Sequence, residues 1–299
     1  MRPRPTLRSF LLSAARVVMV TLLLIPLVGA CSIMFFEEKL IYFPSKYPVG
    51  VWDTERLSGW HGAVAARVED AWIRTEDGLQ IHGWYAFPEQ PDGNGRAPRP
   101  TRHVVLWFHG NAGSIADRFD MALGFLEFPA RVLMIDYRGY GRSEGSPSEK
   151  GLYKDARAAW NYLLKERGHR PEEIVLFGKS LGGGPAVQLA TEVEPGGLIV
   201  QSSFTSIPDM ASRIFPVLPR ALVRTKMDSL SKIGKVKAPK LIVHSPADEV
   251  VPYDMGQKLY EAAAPPKAFY EVPRAGHNET YLVGGRAYWE VLKTFVEGL

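Results

Sequence analysis

A chain of 299 residues, 46% of them hydrophobic, is long enough to close one large core. Its formal charge of +4 is local: taking Arg2, Arg4, Arg8 and Arg16 from the 36 basic residues leaves 32, matched by 32 acidic ones. The body of the chain therefore carries no nucleic-acid footprint, and its single cysteine excludes a disulfide framework or a cysteine-built zinc site; no metal or cofactor is expected.

Residues 1–36 read as a targeting segment. An arginine-bearing stretch runs to Arg16, an apolar run follows over 17–28, and Gly29 and Ala30 precede Cys31. These are the charged, apolar and small-residue parts of a secretory signal. Val28-Gly29-Ala30-Cys31 also looks like a bacterial lipobox, with Cys31 as the lipidated mature N-terminus, although Gly29 makes the match imperfect. The rival is an uncleaved anchor, since 17–36 is about twenty residues without a charge, enough to span a bilayer. One-sidedly basic flanks argue against a buried helix of the domain. Lipoprotein or anchor, the body at 37–299 is expected on the extracytoplasmic side of a membrane.

Residues 37–70 show no clear periodicity. Runs at 71–75 and 81–87 flank Asp77-Gly78, a hairpin signal, and 88–101 is a Pro/Gly/Arg-rich loop. Continuous apolar runs at 104–108, 132–136, 174–177, 198–201 and 241–244 suit strands covered on both faces, and 268–272 reads as one more. A helix follows Ser148, with Leu152, Ala156, Trp160 and Leu163 on one face and Gly168 as a stop. The expectation is an α/β fold: a mostly parallel, eight-stranded sheet with helices on both faces.

Gly178-Lys179-Ser180-Leu181-Gly182 follows the strand at 174–177 and precedes a helix expected at 181–191, the setting of a nucleophile elbow. A sharp strand-to-helix turn brings neighbouring backbone close, so side chains two residues either side of the serine would clash. The turn lifts the Ser180 hydroxyl above the sheet. That hydroxyl is a weak nucleophile and needs a base held by a third group. On such an elbow the partners follow in the order serine, acid, histidine. Asp248, in the loop after 241–244, and His277, after the last strand, fit that order, with Glu249 as a competing acid. For a developing oxyanion, backbone N–H groups of Leu181 and of Asn111, in His109-Gly110-Asn111-Ala112-Gly113, are the candidates. His109 reads as structural. So does Asp136-Tyr137-Arg138-Gly139-Tyr140-Gly141-Arg142-Ser143-Glu144-Gly145, which lacks a Walker ending and any dinucleotide spacing; it reads as a sharp loop held by Arg and Asp hydrogen bonds.

Together with Val251-Pro252 and Gly276-His277, these motifs resemble the α/β-hydrolase superfamily, most of all a branch of N-terminally anchored hydrolases akin to serine aminopeptidase-like domains. Glu38-Lys39-Leu40-Ile41-Tyr42-Phe43-Pro44 is similar to that branch's segment after the anchor, and the resemblance covers about residues 37–299. Lys179 stands where the branch commonly has arginine, outside the triad. The resemblance implies the α/β-hydrolase fold; some eukaryotic members are depalmitoylating thioesterases, and many bacterial ones have no settled substrate.

Residues 204–238 leave the β-α pattern and are apolar and proline-interrupted. They suit either a small cap lining an acyl pocket or ordinary core. The leading expectation is a membrane-attached serine hydrolase acting on a lipid-like acyl ester or thioester. A peptidase or amidase with the same triad, and a non-catalytic binding protein on a hydrolase fold, are the alternatives.

Overall fold

The computed structural model describes residues 37–61, 64–88, 102–128 and 130–299. Cys31, the apolar run at 17–36 and most of the expected loop at 88–101 lie outside them. Among the described residues no helix is long and apolar enough to cross a membrane.

One mixed sheet organises the chain: β1 (Gly59–His61), β2 (Val64–Arg74), β3 (Gln80–Pro88), β4 (His103–Phe108), β5 (Ala130–Ile135), β6 (Ile174–Lys179), β7 (Gly197–Gln201), β8 (Lys240–His244) and β9 (Lys267–Glu271). The order across it is β9-β8-β7-β6-β4-β5-β3-β2-β1. Strands β5, β4, β6, β7, β8 and β9 run parallel, while β3, β2 and β1 join antiparallel. All eight expected strands are present. The ninth, β1, corrects the count: it adds an edge by pairing Gly59 with Ala66, and three residues are too few to show an alternation. The stretch 37–70 is also more ordered than expected, holding a helical turn at Thr54–Leu57 and a two-residue strand, Phe43–Pro44, paired with Ala112–Gly113. The β2–β3 hairpin closes at Asp77-Gly78, where the Thr75 N–H donates to the Leu79 carbonyl at 2.9 Å.

Strand alternation divides the core into two layers. Val104, Leu106 and Phe108 of β4 pack on one face with Leu152, Ala156 and Leu163 of α2 (Glu149–Lys165). Val105 and Trp107 face the other way, toward Phe125 of α1 (Phe119–Leu126) and the terminal helix, Thr280–Glu297. The expected face of α2 is the buried one, and Ser148 caps its start by accepting from the Gly151 N–H at 3.2 Å. With both sides of the sheet covered, the loops at the carboxyl ends of the parallel strands are where such a fold presents a site.

Candidate active site

Ser180 sits between β6 and α3 (Gly183–Ala190) with φ of +54°. A non-glycine residue in this left-handed region is strained and persists only where its surroundings hold it. Two close approaches force the turn. A Cβ on Gly178 would press into the Gly182 carbonyl, and one on Gly182 would overlap the carbonyl of Phe108, at the end of β4. The Ser203 hydroxyl, just past β7, donates to the Ser180 carbonyl at 2.8 Å and pins the elbow from the far side.

The structure brings Ser180, His277 and Asp248 into one hydrogen-bonded line. Ser180 Oγ is 3.0 Å from His277 Nε2, and His277 Nδ1 is 2.8 Å from Asp248 Oδ2 and 3.0 Å from Oδ1. With a proton on Nδ1 for Asp248, Nε2 is left as the acceptor facing the serine. Burial alone would push the Asp248 carboxyl up. The His277 hydrogen bond and the N–H groups of Val251, at 2.8 Å, and Val250, at 3.0 Å, outweigh it and hold the carboxyl below its ordinary value. Glu249 does something else: its Oε2 accepts the backbone N–H of His277 at 2.9 Å. It fixes the histidine's main chain while Asp248 orients the ring.

The loop after β4 lies against the serine, with the space beside the Gly110 Cα only 3.5 Å from Ser180 Cβ. His109 points away from the reacting groups. Its Nδ1 is 2.6 Å from the Gly110 carbonyl, and its ring packs on Tyr137 at 4.4 Å between centroids. The Asn111 side chain accepts the Phe43 N–H at 3.1 Å and the Tyr140 hydroxyl at 3.3 Å, tying this loop to the segment that follows residue 36.

Two cavities meet at Ser180. One, of about 490 Å³, is apolar; Phe204, Ile207, Met210 and Leu218 line it together with Leu40 and Phe43. The other, of about 500 Å³, is the more polar of the two: Arg118, Lys179, His277, Asn278, Asn111 and Asp117 share its walls with Trp107, Met121 and Tyr281. Residues 204–238 divide between the apolar cavity and the core. Helix α4 (Ile207–Ile214) turns Ile207, Met210, Ala211 and Ile214 into the cavity, while Met227, Ile233 and Val236 are fully buried in the core. Glu37 fastens the two regions together by accepting the N–H groups of Thr225, at 2.6 Å, and Arg224, at 3.1 Å.

The chain is similar to known proteins. A family model described as serine aminopeptidase, S33, matches residues 99–229. The chain is 36% identical over 277 residues to the uncharacterized protein Rv2307c of Mycobacterium tuberculosis, covering 91% of this chain and 92% of that relative. It is 34% identical over 296 residues to the alpha/beta hydrolase domain-containing protein WAV2 of Arabidopsis thaliana, covering 90% of each. The chain belongs to the α/β-hydrolase family. Its fold is also that of the esterase Pf2001 of Pyrococcus furiosus, with a TM-score of 0.66 at 22% identity over 86% of this chain and 98% of that one. Hydrolysis is the class of reaction that this membership supports.

In this α/β hydrolase the loop after β5 is structural, as its sequence suggested. The Arg138 guanidinium bridges Asp77 of the hairpin, at 2.9 Å, and Asp155 of α2, at 2.8 Å, while the Arg138 N–H donates to Asp155 at 2.8 Å. The hydroxyl of Tyr137 reaches on to the His109 carbonyl at 2.8 Å. Sequence reasoning missed Ser203, Asn278 and the environment of Lys179. The first two are ordinary polar residues that carry no signal until the fold brings them beside Ser180. Lys179 is only 8% exposed. Burial, aided by the nearby Arg118 charge and opposed by Asp248, holds its ammonium down to about 8 from an ordinary 10.5.

That displacement makes the folded state bear a cost of about 3 kcal/mol for keeping Lys179 charged at neutral pH. The cost is complete below pH 8 and fades toward pH 10.5, as the unfolded chain loses its own proton. Lys179→Met should therefore raise the unfolding free energy at pH 7 by about 2–3 kcal/mol, with the gain shrinking as the pH rises toward 10. Urea melts of both proteins across that range check this, and equal stability at pH 7 would contradict it.

Proposed function

We propose that the chain is a serine hydrolase that cleaves acyl ester or thioester bonds and is held at the extracytoplasmic face of a membrane by residues 1–36. The observation that carries this is the Ser180–His277–Asp248 line, with its serine at the mouth of the apolar cavity. Ser180 Oγ attacks the substrate carbonyl while His277 Nε2 takes the hydroxyl proton. Asp248 holds the imidazole in that tautomer and stabilises it when charged. The N–H groups of Leu181 and Asn111 hold the oxyanion. As the tetrahedral intermediate collapses, the bond to the alcohol or thiol breaks, and the leaving group carries off the proton from His277. Water, activated by the same histidine, then releases the acid and restores Ser180.

The cavity supports an acyl substrate because its lining offers contact to hydrocarbon and little to a charged peptide. Leu40 and Phe43, half-exposed and a few residues after the apolar run, line it, so a chain leaving a bilayer would meet this side of the cavity. A peptidase or amidase with the same triad is the second reading, favoured by the description of the matching family model.

One experiment separates the readings. A fluorophosphonate probe should label the wild-type chain and leave Ser180→Ala unlabelled, and the wild type should hydrolyse esters and thioesters with a preference for medium or long acyl chains. Absence of labelling would remove the enzyme reading; labelling with peptide but no ester turnover would favour the peptidase. For the attachment, mass spectrometry of the membrane-bound protein should find either a diacylated Cys31 at the mature N-terminus or an intact chain beginning at Met1. A soluble chain cleaved after residue 36 would refute both.

A further inference from the structure

We propose that Lys179 is the anion-binding group of the leaving-group side of this site, so that the substrate is an acyl ester or thioester whose alcohol or thiol portion bears a carboxylate or a phosphate. The proposal rests on the serine-hydrolase reading above and goes further, by naming the chemistry of the half of the substrate that departs.

The argument begins with charge and burial. Lys179 is the residue before the nucleophile, and its side chain lines the polar cavity. Its ammonium makes one long hydrogen bond, 3.4 Å to Asn278 Oδ1, and among the described residues no carboxylate lies within ion-pair distance. The charged groups nearby do not supply one. Arg118 is a second cation on the same cavity, its guanidinium given to the carbonyls of Ser114 and Ala112. Asp117 also lines this cavity, where it accepts the Ser114 N–H at 2.9 Å and forms no ion pair with Lys179, and Asp248 is committed to His277. Buried charges in proteins are ordinarily paired, and a cation left this way in the wall of an open cavity is complementary to an anion that arrives with a ligand.

The division of the two cavities says which part of the substrate brings it. The leaving group takes its proton from His277, so it must lie on the side that His277 borders. His277 lines the polar cavity with Lys179 and Asn278, whereas the apolar cavity is lined by Leu181 and the α4 segment. The acyl chain therefore takes the apolar side and the alcohol or thiol the polar one. With Ser180 at the junction, a carboxylate or phosphate a few bonds beyond the departing oxygen or sulfur reaches Lys179.

The test uses the full-length chain in detergent, with Lys179→Met and Lys179→Arg beside the wild type. Two substrate pairs each differ by one anionic group: para-nitrophenyl octanoate with and without a ring carboxylate, and octanoylglycerol with and without a terminal phosphate. The readout is the ratio of kcat/KM for the anionic over the neutral member. A charge-assisted hydrogen bond in a buried site makes that ratio fall about 10- to 100-fold in Lys179→Met, with Lys179→Arg recovering most of it. A fall in the carboxylate pair alone identifies a carboxylate-bearing leaving group, and a fall in the phosphate pair alone a phosphate-bearing one. A wild type that turns over the neutral members with a ratio at or below one in both pairs, or a ratio that Lys179→Met leaves unchanged, overturns the anion site while leaving the serine hydrolase standing. A wild type that neither reacts with a fluorophosphonate nor cleaves any of the four overturns both.

Discussion

Asp248→Asn should lower kcat by about 10⁴-fold, while Glu249→Gln should lower it less than tenfold. The difference follows from what each carboxylate holds. Asp248 accepts the hydrogen bond of the His277 Nδ1–H at 2.8 Å and so leaves Nε2 free to accept from Ser180. An asparagine can turn its amide N–H toward Nδ1, which puts the proton on Nε2, and a protonated Nε2 cannot act as a base; a triad aspartate exchanged in this way loses about 10⁴ in rate. Glu249 accepts the backbone N–H of His277, at 2.9 Å, and a glutamine oxygen can accept the same bond. Steady-state kinetics on an octanoyl ester, with fluorophosphonate labelling rates as a second readout, checks both variants. Comparable losses in the two, or a larger one in Glu249→Gln, would transfer the acid's role to Glu249 or remove it from this loop.

Much of this site was legible because its residues lie where strands end. Continuous apolar runs mark strands buried on both faces, and the residues that follow such runs fall at one edge of a parallel sheet. That reasoning brings Ser180, Asp248 and His277 near one another from the sequence alone. Asp248 was the acid the sequence favoured over Glu249; the hydrogen bonds supply the reason, since neighbouring loop residues point in different directions. The first half of β2 was illegible for a different reason. Ala66 and Val68 pack into one core layer and Ala71 and Ile73 into the other, so the alternation changes phase at the charged pair Glu69-Asp70 and reads as no pattern at all. The segment at 204–238 met a third limit. Ile207, Met210, Ala211 and Ile214 have helical spacing, but spacing shows that a face is apolar and says nothing about whether protein or substrate covers it. The burial of Lys179 was not legible, because a lysine beside a candidate nucleophile looks like a surface residue until the fold encloses it.

Arg138→Met should destabilise the fold by about 3–5 kcal/mol, the cost of removing one partner from a buried ion pair. The side chain of Asp155 is wholly buried, and Arg138 supplies its charge partner, the guanidinium, together with a main-chain N–H donor. A methionine fills much of the same volume, but it leaves a carboxylate in the interior with a single backbone donor. For a domain of this size the loss corresponds to a fall in Tm on the order of 10 °C. Adding Asp155→Asn removes the stranded charge and keeps an oxygen for the N–H of residue 138, so the double variant should recover at least half of the loss. Activity should fall as well, because the same loop holds the site: Tyr137 bonds the His109 carbonyl and Tyr140 bonds the Asn111 side chain. Releasing the loop loosens the backbone of Asn111, the proposed oxyanion donor, so kcat should drop in Arg138→Met even at temperatures where the protein remains folded. Thermal melts and kinetics on the single and double variants check the whole chain of argument. A single variant within 1 kcal/mol of wild type, or a double variant no more stable than the single, would show that the Arg138–Asp155 pair does not hold this loop.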